Sequence, residues 1–138
     1  MPRTLTFDLS SARVSELHPP PETVPNCRRC GEPATEEVTR PSNRNGNAGR
    51  PYYKCHRCNK FLCFADDRGN DPNNPLCNCG IPSRRQVSGR HRRVSRGVHF
   101  VCRQGGCDFY DICQRDDGQH LSIESEDLLT LFVNLRIV

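Results

Sequence analysis

Hydrophobic and aromatic positions come in short bursts along this chain. They fall near residues 34–40, 50–55, 61–65, 81–87, 98–102 and 108–112. Each burst has strand length and is bounded by turn-forming residues, so each predicts a β-strand. The turn-rich stretch Asn43-Arg44-Asn45-Gly46-Asn47-Ala48-Gly49 parts the first two, and a polar, basic loop over 88–97 parts the fourth from the fifth. Between the two groups of three lies Gly69-Asn70-Asp71-Pro72-Asn73-Asn74-Pro75, a linker by composition. Residues 1–25 end in Pro19-Pro20-Pro21 and Pro25 and read as an extended, mostly disordered leader, in which Thr4-Leu5-Thr6-Phe7 alternates as a strand would.

The tail changes period. Ser125-Glu126-Asp127-Leu128 has a capping serine and early acids, as at a helix start, and Leu128, Leu131, Phe132 and Leu135 fall on one helical face. Leu129, Leu131, Val133, Leu135 and Ile137 also alternate, so a strand competes. The helix is the preferred reading. Covering one of the strand groups is its preferred role, ahead of partner binding or dimerisation.

Composition limits what these strands can do alone. Of 138 residues only 34% are hydrophobic, none is Trp, and eleven Pro and ten Gly break up the rest. A core this poor needs staples, and the ten cysteines supply them. Cys27-x2-Cys30 is followed after 24 residues by Cys55-x2-Cys58; Cys77-x-Cys79 is followed after 22 by Cys102-x4-Cys107. The sets recur almost in step: Cys30 to Cys79 is 49 residues, Cys55 to Cys102 is 47 and Cys58 to Cys107 is 49. A close pair loses little entropy when both thiolates bind one ion, and a distant pair completes the tetrahedron. Two Zn2+ ions are therefore expected, one per set. A disulfide framework is the competing reading, but Cys-x-Cys is too short for an easy disulfide, and the polar start Met1-Pro2-Arg3 opens no apolar secretory segment. A reducing compartment follows: nuclear, or cytoplasmic, and not secreted. No apolar run is long enough to cross a membrane.

Charge is unevenly placed. Residues 1–25 sum to −1, residues 26–103 to +10 and residues 104–138 to −5. Only Lys54 and Lys60 among the twenty basic residues are lysines. Each Zn(Cys)4 unit is anionic and balances part of the arginine excess; the rest suits a polyanion, because the guanidinium fork matches phosphate.

The residues around the cysteines resemble the GRF-type zinc finger. Cys30-Gly31 opens the first module, Asn47-Ala48-Gly49-Arg50-Pro51-Tyr52-Tyr53-Lys54-Cys55 carries the signature stretch, and Phe61-Leu62-Cys63-Phe64-Ala65-Asp66 follows Cys58. The second module is more divergent: Cys77-Asn78-Cys79-Gly80, then Gly97-Val98-His99-Phe100-Val101-Cys102 with Val98 at the family's arginine, then Cys107-Asp108-Phe109-Tyr110. The first set alone also fits a generic zinc ribbon. Cys63 competes for the fourth ligand position of that set; the resemblance puts it at a spacer and favours Cys58. The ligands are thus Cys27, Cys30, Cys55 and Cys58, then Cys77, Cys79, Cys102 and Cys107, leaving Cys63 and Cys113 as ordinary thiols and His56, His91 and His99 as bystanders.

The resemblance implies a small zinc-stabilised β fold: two tandem three-stranded antiparallel zinc modules plus a short C-terminal helix or strand. The expected boundaries are 1–25 leader, 26–68 first module, 69–76 linker, 77–115 second module and 116–138 acidic and apolar C-terminal segment. It further implies binding of single-stranded nucleic acid, with little sequence specificity, in an adaptor for DNA repair, recombination or transcription. The expected contacts are Arg50, Tyr52, Tyr53 and Lys54 in the first module. From the densest basic run they are Arg84, Arg85, Arg90, Arg92, Arg93 and Arg96, and phosphorylation of Ser83, Ser88 or Ser95 among them would oppose binding. A protein partner could use the C-terminal segment. The alternative is a zinc-stabilised protein-interaction module whose basic face takes an acidic partner. Catalysis is not expected: no nucleophile–base set or phosphate loop stands out, and both metal sites are coordinatively closed.

Overall fold

The computed structural model describes residues 16–138; the alternating stretch Thr4-Leu5-Thr6-Phe7 lies outside the described residues. All six expected strands form. β1 (Thr35–Val38), β2 (Pro51–Cys55) and β3 (Lys60–Phe64) make one antiparallel sheet in the order β1-β2-β3, and β4 (Arg84–Val87), β5 (Val98–Val101) and β6 (Tyr110–Ile112) make a second in the order β4-β5-β6. The tail is the helix α1 (Glu126–Asn134), with the Ser125 side chain accepting the Leu128 N–H at its start.

Each sheet is preceded by an equivalent small bridge, Asn26 with Pro33 and Leu76 with Pro82, and these close the turns that carry the first cysteine pairs. The register of the first sheet is broken once. A bulge between Tyr53 and Lys54 sets Phe61, rather than Leu62, opposite Lys54. Tyr52, Lys54, Phe61 and Phe64 then share one face, while Tyr53, Cys55 and Cys63 share the other.

The main core belongs to the second sheet. Val87, Val98, Phe100 and Cys113 pack against Ile123, Leu129, Phe132, Ile137 and Val138 of the tail. The tail also extends this sheet: Val98 N–H donates to Leu121 O and Leu121 N–H to Cys113 O, both at 2.8 Å. The covering role preferred for α1 is the one observed, but through a different face. Leu129 and Phe132 are buried, while Leu128 and Leu131 are exposed. The helix also reaches the first module, where Gly46 lies so close that a Cβ there would sit 2.9 Å from Val133 Cγ2.

The stretch expected to be a linker is pinned in place. Asn70 and Asn74 are buried; Asn74 Nδ2 donates to Gly69 O and to Ser83 O, both at 2.8 Å. Gly69 has φ +75°, and a Cβ on it would lie 2.1 Å from Arg85 O, so only glycine fits where this turn crosses β4. Part of the leader is anchored here as well. His18 N–H donates to Asn70 O at 2.9 Å, and Asn70 Nδ2 returns a bond to His18 O at 3.0 Å.

Candidate metal centres and the groove between the modules

The first four-cysteine set converges at the end of the first sheet. Cys27 and Cys30 come from the turn before β1, Cys55 ends β2, and Cys58 lies in the turn into β3. The second set repeats these positions: Cys77 and Cys79 before β4, Cys102 after β5, Cys107 before β6. Within each set all four Sγ atoms lie within 4.8 Å of one another. Four thiolates on one zinc ion, at bonds of about 2.3 Å, stand about 3.8 Å apart. Cys30 Sγ and Cys55 Sγ are 3.5 Å apart, far beyond a disulfide bond, and all ten cysteines are free.

Backbone amides point at these sulfurs as they do at thiolates. Arg29 N–H donates to Cys27 Sγ, Cys58 N–H to Cys55 Sγ and Cys79 N–H to Cys77 Sγ, each at 3.4 Å, and Gly106 N–H donates to Cys102 Sγ at 3.3 Å. The first and third ligands of each set thus each accept a backbone N–H, and hydrogen bonds from the backbone of Cys30 and then Arg29 pull the Cys27 thiol down to about 6. The donor set fits two structural Zn2+ ions, each closed by four sulfurs.

The leftover thiols are elsewhere. Cys63 and Cys113 are fully buried, and burial pushes each up to about 11. His56 bonds Glu37 at 2.6 Å and His99 stacks on Tyr110, so neither joins a metal cluster.

The GRF-like zinc ribbon domain family matches residues 24–68. Over those residues the first module is similar to a GRF-like zinc ribbon. The second module repeats the strand order and ligand positions of the first. Among solved structures, the crystal structure of human NEIL3 tandem zinc finger GRF domains is similar, at 22% identity over 64% of this chain and 97% of that one, with a TM-score of 0.26. No curated protein matches.

Within the two modules, four of the arginines expected to contact nucleic acid are buried and paired. Arg50 is 3% exposed; its guanidinium lies 3.6 Å from the centre of the Phe64 ring and grips Asp66 through Nε at 2.7 Å and Nη2 at 3.1 Å. Arg84 is 0% exposed and binds the same carboxylate at 2.6 Å, along with the carbonyls of Phe64, Asp66 and Arg68. Arg85 donates to Asn74 Oδ1 at 3.0 Å and Ile137 O at 3.3 Å. Arg96 reaches Arg44 O at 3.1 Å and Glu126 at 2.7 Å. Burying a guanidinium is costly unless it is paired, and each of these is held inside by carboxylates or carbonyls. Burial pushes the Asp66 carboxyl up, but the bonds and charges of Arg50 and Arg84 outweigh it and hold its pKa below the ordinary value. Tyr53 is buried too, on the face away from Tyr52.

Of the remaining expected contacts, Tyr52, Lys54, Arg92 and Arg93 line a groove. One part, about 520 Å³, is lined by Arg40, Asn43, Tyr52, Lys54, Phe61 and Phe64, among others. The next part, about 710 Å³, lies between the modules and includes Phe61, Arg92, Arg93, His99 and Tyr110. Asn47, Phe61 and Phe64 line both, so the two parts are continuous. Arg40, Lys54, Arg92 and Arg93 make no ion pair among the described residues, whereas Arg90 is paired with Glu126.

Residues outside the expected contacts complete the groove. Phe61 is 43% exposed and Tyr110 59% exposed. Tyr52 and Phe61 rings lie 5.7 Å apart, His99 and Tyr110 rings 5.2 Å apart. The two pairs occupy the same register. Tyr52 and His99 each stand three residues before the third cysteine, and Phe61 and Tyr110 each face the residue just before it. The sequence signal was present in the aromatics after Cys58 and Cys107, but it did not say which of them face outward.

Proposed function

We propose that the chain binds single-stranded nucleic acid along this groove, zinc-dependently and with low sequence specificity. The observation that carries the reading is the repeated aromatic pair, Tyr52 with Phe61 and His99 with Tyr110, beside the cations Arg40, Lys54, Arg92 and Arg93, which make no ion pair among the described residues. Phe61 and Tyr110 are the exposed members, each backed by its partner ring; exposed rings stack on unpaired bases of any identity, and surrounding cations hold the phosphates. A duplex hides its base faces and cannot use the rings. The zincs act structurally: each draws three segments together so that the rings stand in register. The two repeats, 26–68 and 77–115, share the strand, and the chain serves as a non-catalytic adaptor for repair, recombination or transcription machinery in the nucleus.

The test is fluorescence anisotropy with labelled single-stranded DNA, duplex DNA and single-stranded RNA over a salt series. Preference for a single strand, with an affinity loss of roughly 5- to 100-fold in each of Phe61→Ala and Tyr110→Ala, is expected. Binding that ignores both rings and prefers acidic peptides would replace this reading with an acidic protein partner.

A further inference from the structure

Three serines stand among the arginines here, Ser83 just before β4 and Ser88 and Ser95 in the loop between β4 and β5, and the structure separates them. Ser83 is fully buried with its hydroxyl donating to Pro75 O at 2.6 Å. Ser88 is half-buried, and its hydroxyl closes the base of the loop on Val94 O and Gly97 O, both at 3.2 Å. Ser95 is exposed and its hydroxyl makes no hydrogen bond among the described residues.

The surroundings of Ser95 are equally specific. Further backbone bonds pin the loop at its base, from Ser88 N–H to Gly97 O at 2.9 Å and from Arg96 N–H to Gly89 O at 3.3 Å. Arg90 and Arg96 are both tied to Glu126 at the start of α1. Arg92 and Arg93, three and two residues before Ser95, are exposed and lie on the groove wall. The loop therefore displays, on one short exposed segment, two guanidinium groups and a hydroxyl that have no partner among the described residues. That is the chemistry a protein kinase with an acidic substrate cleft recognises.

We propose that Ser95 is a phosphorylation site for a basic-directed serine kinase, and that its phosphate switches the groove off. The γ-phosphoryl group of ATP passes to Ser95 Oγ, the bond to ADP breaks, and the hydroxyl proton leaves to the kinase base. The product carries about −1.5 to −2 charges beside Arg92 and Arg93. Those two side chains then pair with the phosphoserine instead of a nucleic-acid backbone, and the added charge repels an incoming strand. This consequence rests on the reading of the groove given above; the modification site does not.

The experiment treats the full zinc-loaded chain with ATP and a purified kinase of this class, maps phosphate by mass spectrometry, and titrates both forms with a labelled oligothymidylate of about 20 nucleotides. The expected result is one phosphate on Ser95, absent from Ser95→Ala. Losing two phosphate contacts lowers the slope of log affinity against log salt by about 1.4. Binding at low salt should weaken on the order of tenfold, and Arg92→Gln with Arg93→Gln should reproduce the lower slope without phosphate. No phosphate, or phosphate mapped to Ser83 or Ser88, overturns the site. Phosphate on Ser95 with an unchanged slope overturns the switch. Failure of the unmodified chain to bind overturns the groove reading and the switch with it, and leaves the mapped site standing.

Discussion

Arg84 of the second module reaches into the first and binds Asp66 at 2.6 Å, completing a carboxylate already gripped by Arg50. Three charges, two of them buried on long side chains, thus hold two zinc modules as one body. Removing one partner strands the others without water. Arg84→Ala and Asp66→Asn should each cost about 3–5 kcal/mol in urea denaturation, with the double variant far from additive. The pH dependence has a defined sign. Asp66 has a depressed folded pKa, so its contribution is complete above the ordinary carboxylate value and is lost as pH falls through the folded value. The stability gap between the parent and Asp66→Asn should therefore narrow on acidification; a gap that widens would contradict the pairing.

Metal content distinguishes ligand from bystander among the cysteines. Two zinc ions per chain are expected by elemental analysis. Cys58→Ser should hold one, because only three sulfurs remain at the first site, while Cys63→Ala should keep both, since Cys63 lies buried in β3 outside either cluster. A chelator in excess should abolish the cooperative unfolding transition.

Gly69 tests whether the segment between the modules is a tether. A flexible tether would tolerate alanine. With φ at +75° and Arg85 O in the place of a Cβ, Gly69→Ala should destabilise by more than about 1–2 kcal/mol, read as a lower midpoint in thermal unfolding.

The helix gives a contrasting pair. Phe132→Ala opens a void in the core under the second sheet and should cost about 3–5 kcal/mol. Leu128→Ala, on the exposed side of the same helix, should change stability by less than about 0.5 kcal/mol. Equal effects would mean the helix packs through another face.

What the sequence determined is local and periodic. Cysteine spacing specifies which thiols can share an ion, because a close pair and a returning pair are set by chain length alone. Short apolar bursts between turn residues specify the six strands, and Ser125 with its following acids marks the start of α1. Tertiary structure decided which way the side chains point and what they meet. In the notation of sequence, Arg84 and Arg92 are the same cation in one basic run. Yet Arg84 lies in β4, where it is enclosed against Asp66 from eighteen residues away, whereas Arg92 lies in a loop open to the groove. Likewise Phe61 and Tyr53 are both aromatics near a cysteine, and one bulge between Tyr53 and Lys54 sends them to opposite faces. Partner distance and strand parity depend on long-range packing, which no local pattern encodes.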